Sequence, residues 1–130
     1  MFGTFQQSHL RIEVNASAQV IKESLSQPEK LKQWLFPQQL SPGLPNELQT
    51  GLTFRTYTAG ITIQHEIETC TDFCLRLLLS EGVDGYHEWC WDDGWLQSRL
   101  EGISILPLNL AQTANLLRLR QFIESVSQAE

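Results

Sequence analysis

Trp91-Asp92-Asp93-Gly94-Trp95 decides how this chain folds. An Asp-Gly pair between two alternating aromatic runs is the strongest short-range signal for a two-residue type I′ hairpin turn, and such a turn fixes a register. Asp92 then faces Trp95, so His87, Trp89 and Trp91 share one side of the hairpin with Leu96, Ser98 and Leu100. The opposite side sets Glu88 against Arg99 and Tyr86 against Glu101, which reads as a solvated cross-strand ladder worth up to about 1 kcal/mol per pair. The first side is an aromatic wall that the rest of the chain must cover.

Period-two patterning continues upstream of the hairpin. Leu52, Phe54, Thr56 and Thr58 alternate, Ala59-Gly60 turns the chain, and Ile61, Ile63, His65 and Ile67 alternate back, so a two-residue turn puts Phe54 opposite His65. A three-residue turn at Thr71-Asp72-Phe73 carries the same parity into Leu75, Leu77 and Leu79 and sets Cys70 opposite Cys74 on the outer face. Gly82 to Gly85 then forms the turn into the hairpin. This spacing predicts His65, Leu79 and His87 in one row across three strands, with the imidazoles based about 9–10 Å apart.

The N-terminal part changes period. His9 to Val14 alternates as a first strand with Leu10, Ile12 and Val14 inward. Ser17 caps a short helix carrying Val20, Ile21 and Leu25, and Ser26 with Glu29 forms a capping-box pattern for a second, with Pro28 in its first turn. Leu31, Trp34 and Leu35 give that second helix an apolar face, and Pro37 stops it. Pro37 to Gly51 reads as a loop or irregular edge strand. At the other end, Asn109 to Val126 has helical spacing, with Leu116, Leu119, Phe122, Ile123 and Val126 on a broad face that must lie against the sheet. A second stripe, Leu110, Ala114 and Leu117, is expected to meet the Pro37 to Gly51 segment, the alternative being a second subunit.

Length and composition bound the rest. A chain of 130 residues with 42% hydrophobic and 18% charged residues builds one domain, residues 1–130, around one core. The net charge of −6 without a Lys/Arg cluster argues against a nucleic-acid partner or an anionic membrane surface. No window reaches the roughly 18 apolar residues of a membrane span and Met1 to Leu10 has no secretory pattern, so a cytoplasmic protein without membrane insertion is expected, a monomer or weak homodimer. The three cysteines then read as reduced, unpaired thiols.

The order of elements, the Gln27-Pro28-Glu29-Lys30-Leu31 to Trp34 segment after a Val20/Leu25 helix, Gly51 before a strand and the closing helix together resemble the START-like (SRPBCC) superfamily. That resemblance implies an α+β helix-grip fold: a curved antiparallel sheet wrapped on a long C-terminal helix, with two short helices after the first strand. It also implies a cavity between sheet and helix, as in pollen-allergen-like and lipid-binding members, polyketide cyclases and dehydratases, and chaperone-ATPase activators.

The inward pattern supports a cavity on its own terms, being mostly apolar with a few convergent polar groups. The ligand-binding candidates are Phe54, Thr56, Ile63, His65, Leu77, His87, Trp89, Trp91, Ser98, Leu116, Leu119 and Ile123. The expected partner is a small hydrophobic or amphipathic molecule, with room for a long-chain or polycyclic probe. No catalytic set is assigned: His65 and His87 are the only candidates for moving protons, Ser98 lacks a triad order, and no phosphate loop or dinucleotide fingerprint is present. Cys70 and Cys74 supply two ligands where a zinc site needs more, so neither metal nor cofactor is expected. The alternatives are a cyclase/dehydratase-like enzyme using the same cavity, and an interaction module using the outer sheet.

Overall fold

The computed structural model describes residues 3–129. Strand β1 (Thr4–Glu13) is followed by helices α1 (Ala18–Ser26) and α2 (Pro28–Leu35), then by the short β2 (Gln39–Leu40). The meander β3 (Thr53–Thr58), β4 (Ile61–Cys70), β5 (Cys74–Glu81), β6 (Asp84–Asp92) and β7 (Trp95–Ser104) leads into α3 (Leu108–Ala129). All neighbours pair antiparallel in one seven-stranded sheet ordered β1-β7-β6-β5-β4-β3-β2, so the chain closes by laying β1 beside β7. With α3 packed on the inner face, this is the helix-grip fold. Among the described residues no helix is long and apolar enough to cross a membrane.

The hairpin register holds throughout: Asp92 pairs with Trp95, Trp91 with Leu96, Trp89 with Ser98 and His87 with Leu100. The turn type differs. Gly94 has φ +83° but Asp93 does not join it at positive φ, whereas a type I′ turn needs both. The reason is tertiary: Asp93 Oδ1 accepts from the Ala18 amide at 2.7 Å, and Gly94 exchanges backbone hydrogen bonds with Val14 and Ala16, so the tip is set by its contact with the start of α1. The Ala59-Gly60 turn does have both residues at positive φ, and Phe54 faces His65 as its length requires.

Three other local readings change. Ser26 is the last residue of α1 and its hydroxyl donates back to the Lys22 carbonyl at 2.7 Å, so it forms no capping box with Glu29; Gln27 occupies the cap position of α2. Gly85 lies within β6, not in a turn, and faces Gly102. A Cβ at Gly85 would stand 1.9 Å from the Glu101 carbonyl oxygen, so the two strands approach there as only glycine allows. The Leu110, Ala114 and Leu117 stripe stays exposed, with Leu110 at 68%. The Pro37 to Gly51 segment turns instead toward the short helices, where Leu48 is buried and its amide donates to the Ser26 carbonyl.

The cysteines are rearranged by a β-bulge in β4 and by the β5–β6 register. Ile67 pairs with Leu77, but Thr69 pairs with Arg76, so Glu68 is the extra residue and the register beyond it slips by one. That slip turns Cys70 inward opposite Leu75, against the core, and away from Cys74. Cys74 instead faces Cys90 across β5 and β6 with 4.2 Å between the Cα atoms, and the two are joined as a disulfide. The reading of three unpaired thiols therefore holds for Cys70 alone.

Candidate functional site

Between the sheet, α2 and the first half of α3 lies a cavity of about 130 Å³. Its wall follows from strand alternation: Phe54 and Thr56 come from β3, Ile63 and His65 from β4, Leu77 and Leu79 from β5, and His87 and Trp89 from β6. Trp34 closes one side, its indole N–H donating to the Ser24 carbonyl at 2.9 Å and its ring standing edge-on to Trp89 at 6.3 Å. Gln112 and Asn115 of α3, with Gln38 after α2, are the other polar lining groups outside the sheet.

Seven of the twelve ligand-binding candidates line this space: Phe54, Thr56, Ile63, His65, Leu77, His87 and Trp89. The other five do not. Trp91, Ser98, Leu116, Leu119 and Ile123 are packed core, with Trp91 only 1% exposed. The predicted single row of His65, Leu79 and His87 is also offset. His65 pairs with Leu79, whose partner on β6 is Gly85, while His87 pairs with Leu77, since the turn after β5 is tighter than expected.

Each imidazole sits in its own polar setting. A directed hydrogen-bond chain reaches His87: Asn109 Nδ2 donates to Ser8 Oγ at 2.8 Å, Ser8 Oγ donates to Gln112 Oε1, and Gln112 Nε2 donates to Ser98 Oγ at 2.8 Å. Ser98 Oγ lies 2.7 Å from His87 Nε2, so the end of the chain meets the ring. His87 Nδ1 has no hydrogen-bond partner among the described residues. Gln112 also donates to the carbonyls of Ser8 and Ser98, so the chain ties β1, β7 and α3 together. Burial holds the His87 pKa down at about 3, with charge on His65 opposing its protonation further.

His65 stacks flat on Phe54, with centroids 4.7 Å apart and planes 3° from parallel, and its Nε2 lies 3.0 Å from Thr56 Oγ1. Its Nδ1 is buried without a partner, and burial lowers the pKa to about 4. Both rings are therefore neutral near pH 7, and each presents a nitrogen with spare hydrogen-bonding capacity. Among the described residues, no three His, Cys, Asp or Glu side chains gather closely enough to hold a metal ion.

Sequence reasoning missed Gln112 and the part played by Trp34. Gln112 was detectable: it interrupts the run Leu108, Leu116, Leu119, Ile123 on the buried face of α3, and a polar residue there needs partners.

The sequence matches no described family and no curated protein. Solved structures do share the fold. DynU16, a protein of the dynemicin biosynthetic locus, superimposes with a TM-score of 0.71 at 18% identity over 91% of this chain, which spans only 47% of DynU16. The Aha1 dimer from Colwellia psychrerythraea gives 0.66 at 14% identity, over 92% of this chain and 96% of that one. Truncated norcoclaurine synthase from Thalictrum flavum gives 0.65 at 15% identity, over 98% and 96%. At these identities the likeness is one of architecture.

Proposed function

We propose that this protein binds a small, mainly apolar molecule with a body of about one ring, in the cavity between sheet and α3, as a carrier or sensor. The observation that supports this reading is an apolar cavity lined by two neutral imidazoles, one of which, His65, keeps a buried nitrogen without a partner. Leaving a buried polar atom unpaired costs about 1–3 kcal/mol, a cost relieved by an occupant that reaches His65 Nδ1. At about 130 Å³ the space is below the ~300–1,000 Å³ of drug-sized pockets. It is close to the ~150 Å³ of an engineered apolar cavity that takes up benzene. A long-chain or polycyclic ligand therefore does not fit without rearrangement.

Binding is favoured over catalysis by the histidines themselves. A base whose pKa lies near 3 or 4 has little driving force for taking a proton at neutral pH, while a neutral ring is a good hydrogen-bond partner. The test uses nitrobenzene, a ring-sized quencher of tryptophan fluorescence. Saturable quenching at one site per chain is expected, and Ile63→Phe should abolish it with a stability change under about 1 kcal/mol, since the new ring enters existing space. If quenching never saturates and Ile63→Phe instead costs ~1–3 kcal/mol, as in a filled core, the cavity is not a binding site.

A further inference from the structure

Beside the cavity stands a cation to which the described residues bring no counter-charge. Arg118 Nη2 donates to Asn115 Oδ1 at 2.9 Å, and Asn115 itself lines the cavity. Arg118 Nε is buried and meets no acceptor, and no carboxylate pairs with this side chain among the described residues. Six other cations, Lys22, Lys30, Lys32, Arg55, Arg76 and Arg99, each hold a carboxylate. Arg11 lies over the Trp95 ring, and Arg120 shares a surface cleft with Glu13 and Glu124. In a chain of net charge −6 an unpaired, half-buried guanidinium is therefore a local choice of the fold.

Its surroundings point the same way. Arg118 lies in a cleft between α2 and α3 with Trp34, Phe36 and Phe122, and Trp34 is a wall of both this cleft and the cavity. The cavity interior is unsuited to a charge, being lined mostly by leucines and by imidazoles that burial keeps neutral. Arg118 is not itself a wall of the cavity, so a ligand with its apolar body inside meets it with an anionic end that leaves the leucine-lined interior past Trp34. A guanidinium suits a carboxylate in particular, because its planar fork donates two parallel, charge-assisted hydrogen bonds.

Building on the cavity reading, we propose that Arg118, positioned by Asn115, binds the carboxylate of the molecule whose body fills the cavity. The ligand class is thereby narrowed to small aryl or short-chain alkyl carboxylic acids. The probes are phenylacetate and its uncharged counterpart phenylacetamide, titrated by tryptophan fluorescence at pH 7.5 against wild type, Arg118→Gln and Arg118→Lys, each first shown to be folded by its thermal melt. Wild type should prefer phenylacetate by about tenfold or more. Arg118→Gln should lose that preference while binding phenylacetamide unchanged, and Arg118→Lys should keep part of it. Equal affinities in wild type, or a preference that survives Arg118→Gln, overturn the assignment of Arg118 and leave the cavity reading standing. Failure of both probes to bind, together with a core-like penalty for Ile63→Phe, removes the cavity reading and this assignment with it.

Discussion

His87 shows how one residue's chemistry is set by groups far away in the chain. Its ring meets Ser98, which is held by Gln112, which is held by Ser8 and Asn109. A consequence is a pH-dependent stability whose sign can be worked out. In the unfolded chain a histidine takes up its proton near pH 6.5, but the folded values for His65 and His87 are about 4 and about 3. Between those limits the unfolded state binds more protons, so stability falls as the pH drops below about 6.5 and is indifferent to these rings above about 7. Urea unfolding at pH 7.5 and pH 4.5 should differ by on the order of 2 kcal/mol per ring, and His87→Leu should flatten part of the slope. The carboxylate that the fold perturbs most, Glu101, is held down at about 2 by hydrogen bonds from Tyr86, Gln7 and His9, so its contribution is lost only below the ordinary carboxylate range. A flat profile from pH 7.5 to 4.5 would show that the rings are not held neutral by burial.

At the scale of elements, the bulge at Glu68 decides what the end of the β4–β5 hairpin does. It leaves His65, Ile67, Leu75, Leu77 and Leu79 facing inward, yet moves Cys70 to the core side and leaves Cys74 to pair with Cys90. The disulfide spans a sequence separation of 16 and directly follows the Leu75–Trp89 pair, whose side chains line the cavity. Closing a loop of that size stabilises a fold by roughly 3 kcal/mol through the unfolded state. Reduction, or Cys74→Ser, should therefore lower the unfolding midpoint by a corresponding amount. Peptide mapping of the oxidised protein should recover Cys74 linked to Cys90 and Cys70 alkylated; a Cys70–Cys74 peptide would contradict the bulge.

For the molecule as a whole, α3 is what makes the sheet a container. Leu116, Leu119 and Ile123 are buried in the solid core, while Gln112 and Asn115, nearer the start of the helix, line the cavity. The helix thus seals one end of the sheet and leaves the other hollow. Truncation after Asn109 removes all five of these side chains and exposes the inner face of the sheet. The shortened chain is expected to elute as aggregate and to lose its cooperative melt. A monomer with a sharp transition would mean that the helix contributes little to the core.

Alternation and turn chemistry are local properties, and they made much of this fold legible from residues alone. The two-residue turns at Ala59-Gly60 and Asp93-Gly94 put Phe54 opposite His65 and Trp89 opposite Ser98, and parity then assigned the inward faces of β3 to β7. Helical spacing likewise marked Leu116, Leu119 and Ile123 as the buried side of α3. Only tertiary structure decided the rest, because each remaining feature depends on atoms brought together from distant parts of the chain. The bulge at Glu68 leaves no alternation signal and yet turns Cys70 inward, and the length of the β5–β6 turn sets Cys74 opposite Cys90. The division of the inward residues into cavity wall and solid core depends on how closely α3 approaches each part of the sheet, which no pattern within a strand records. Arg118 reads as an ordinary surface cation until Asn115 is seen to hold it beside the cavity with no carboxylate paired to it among the described residues.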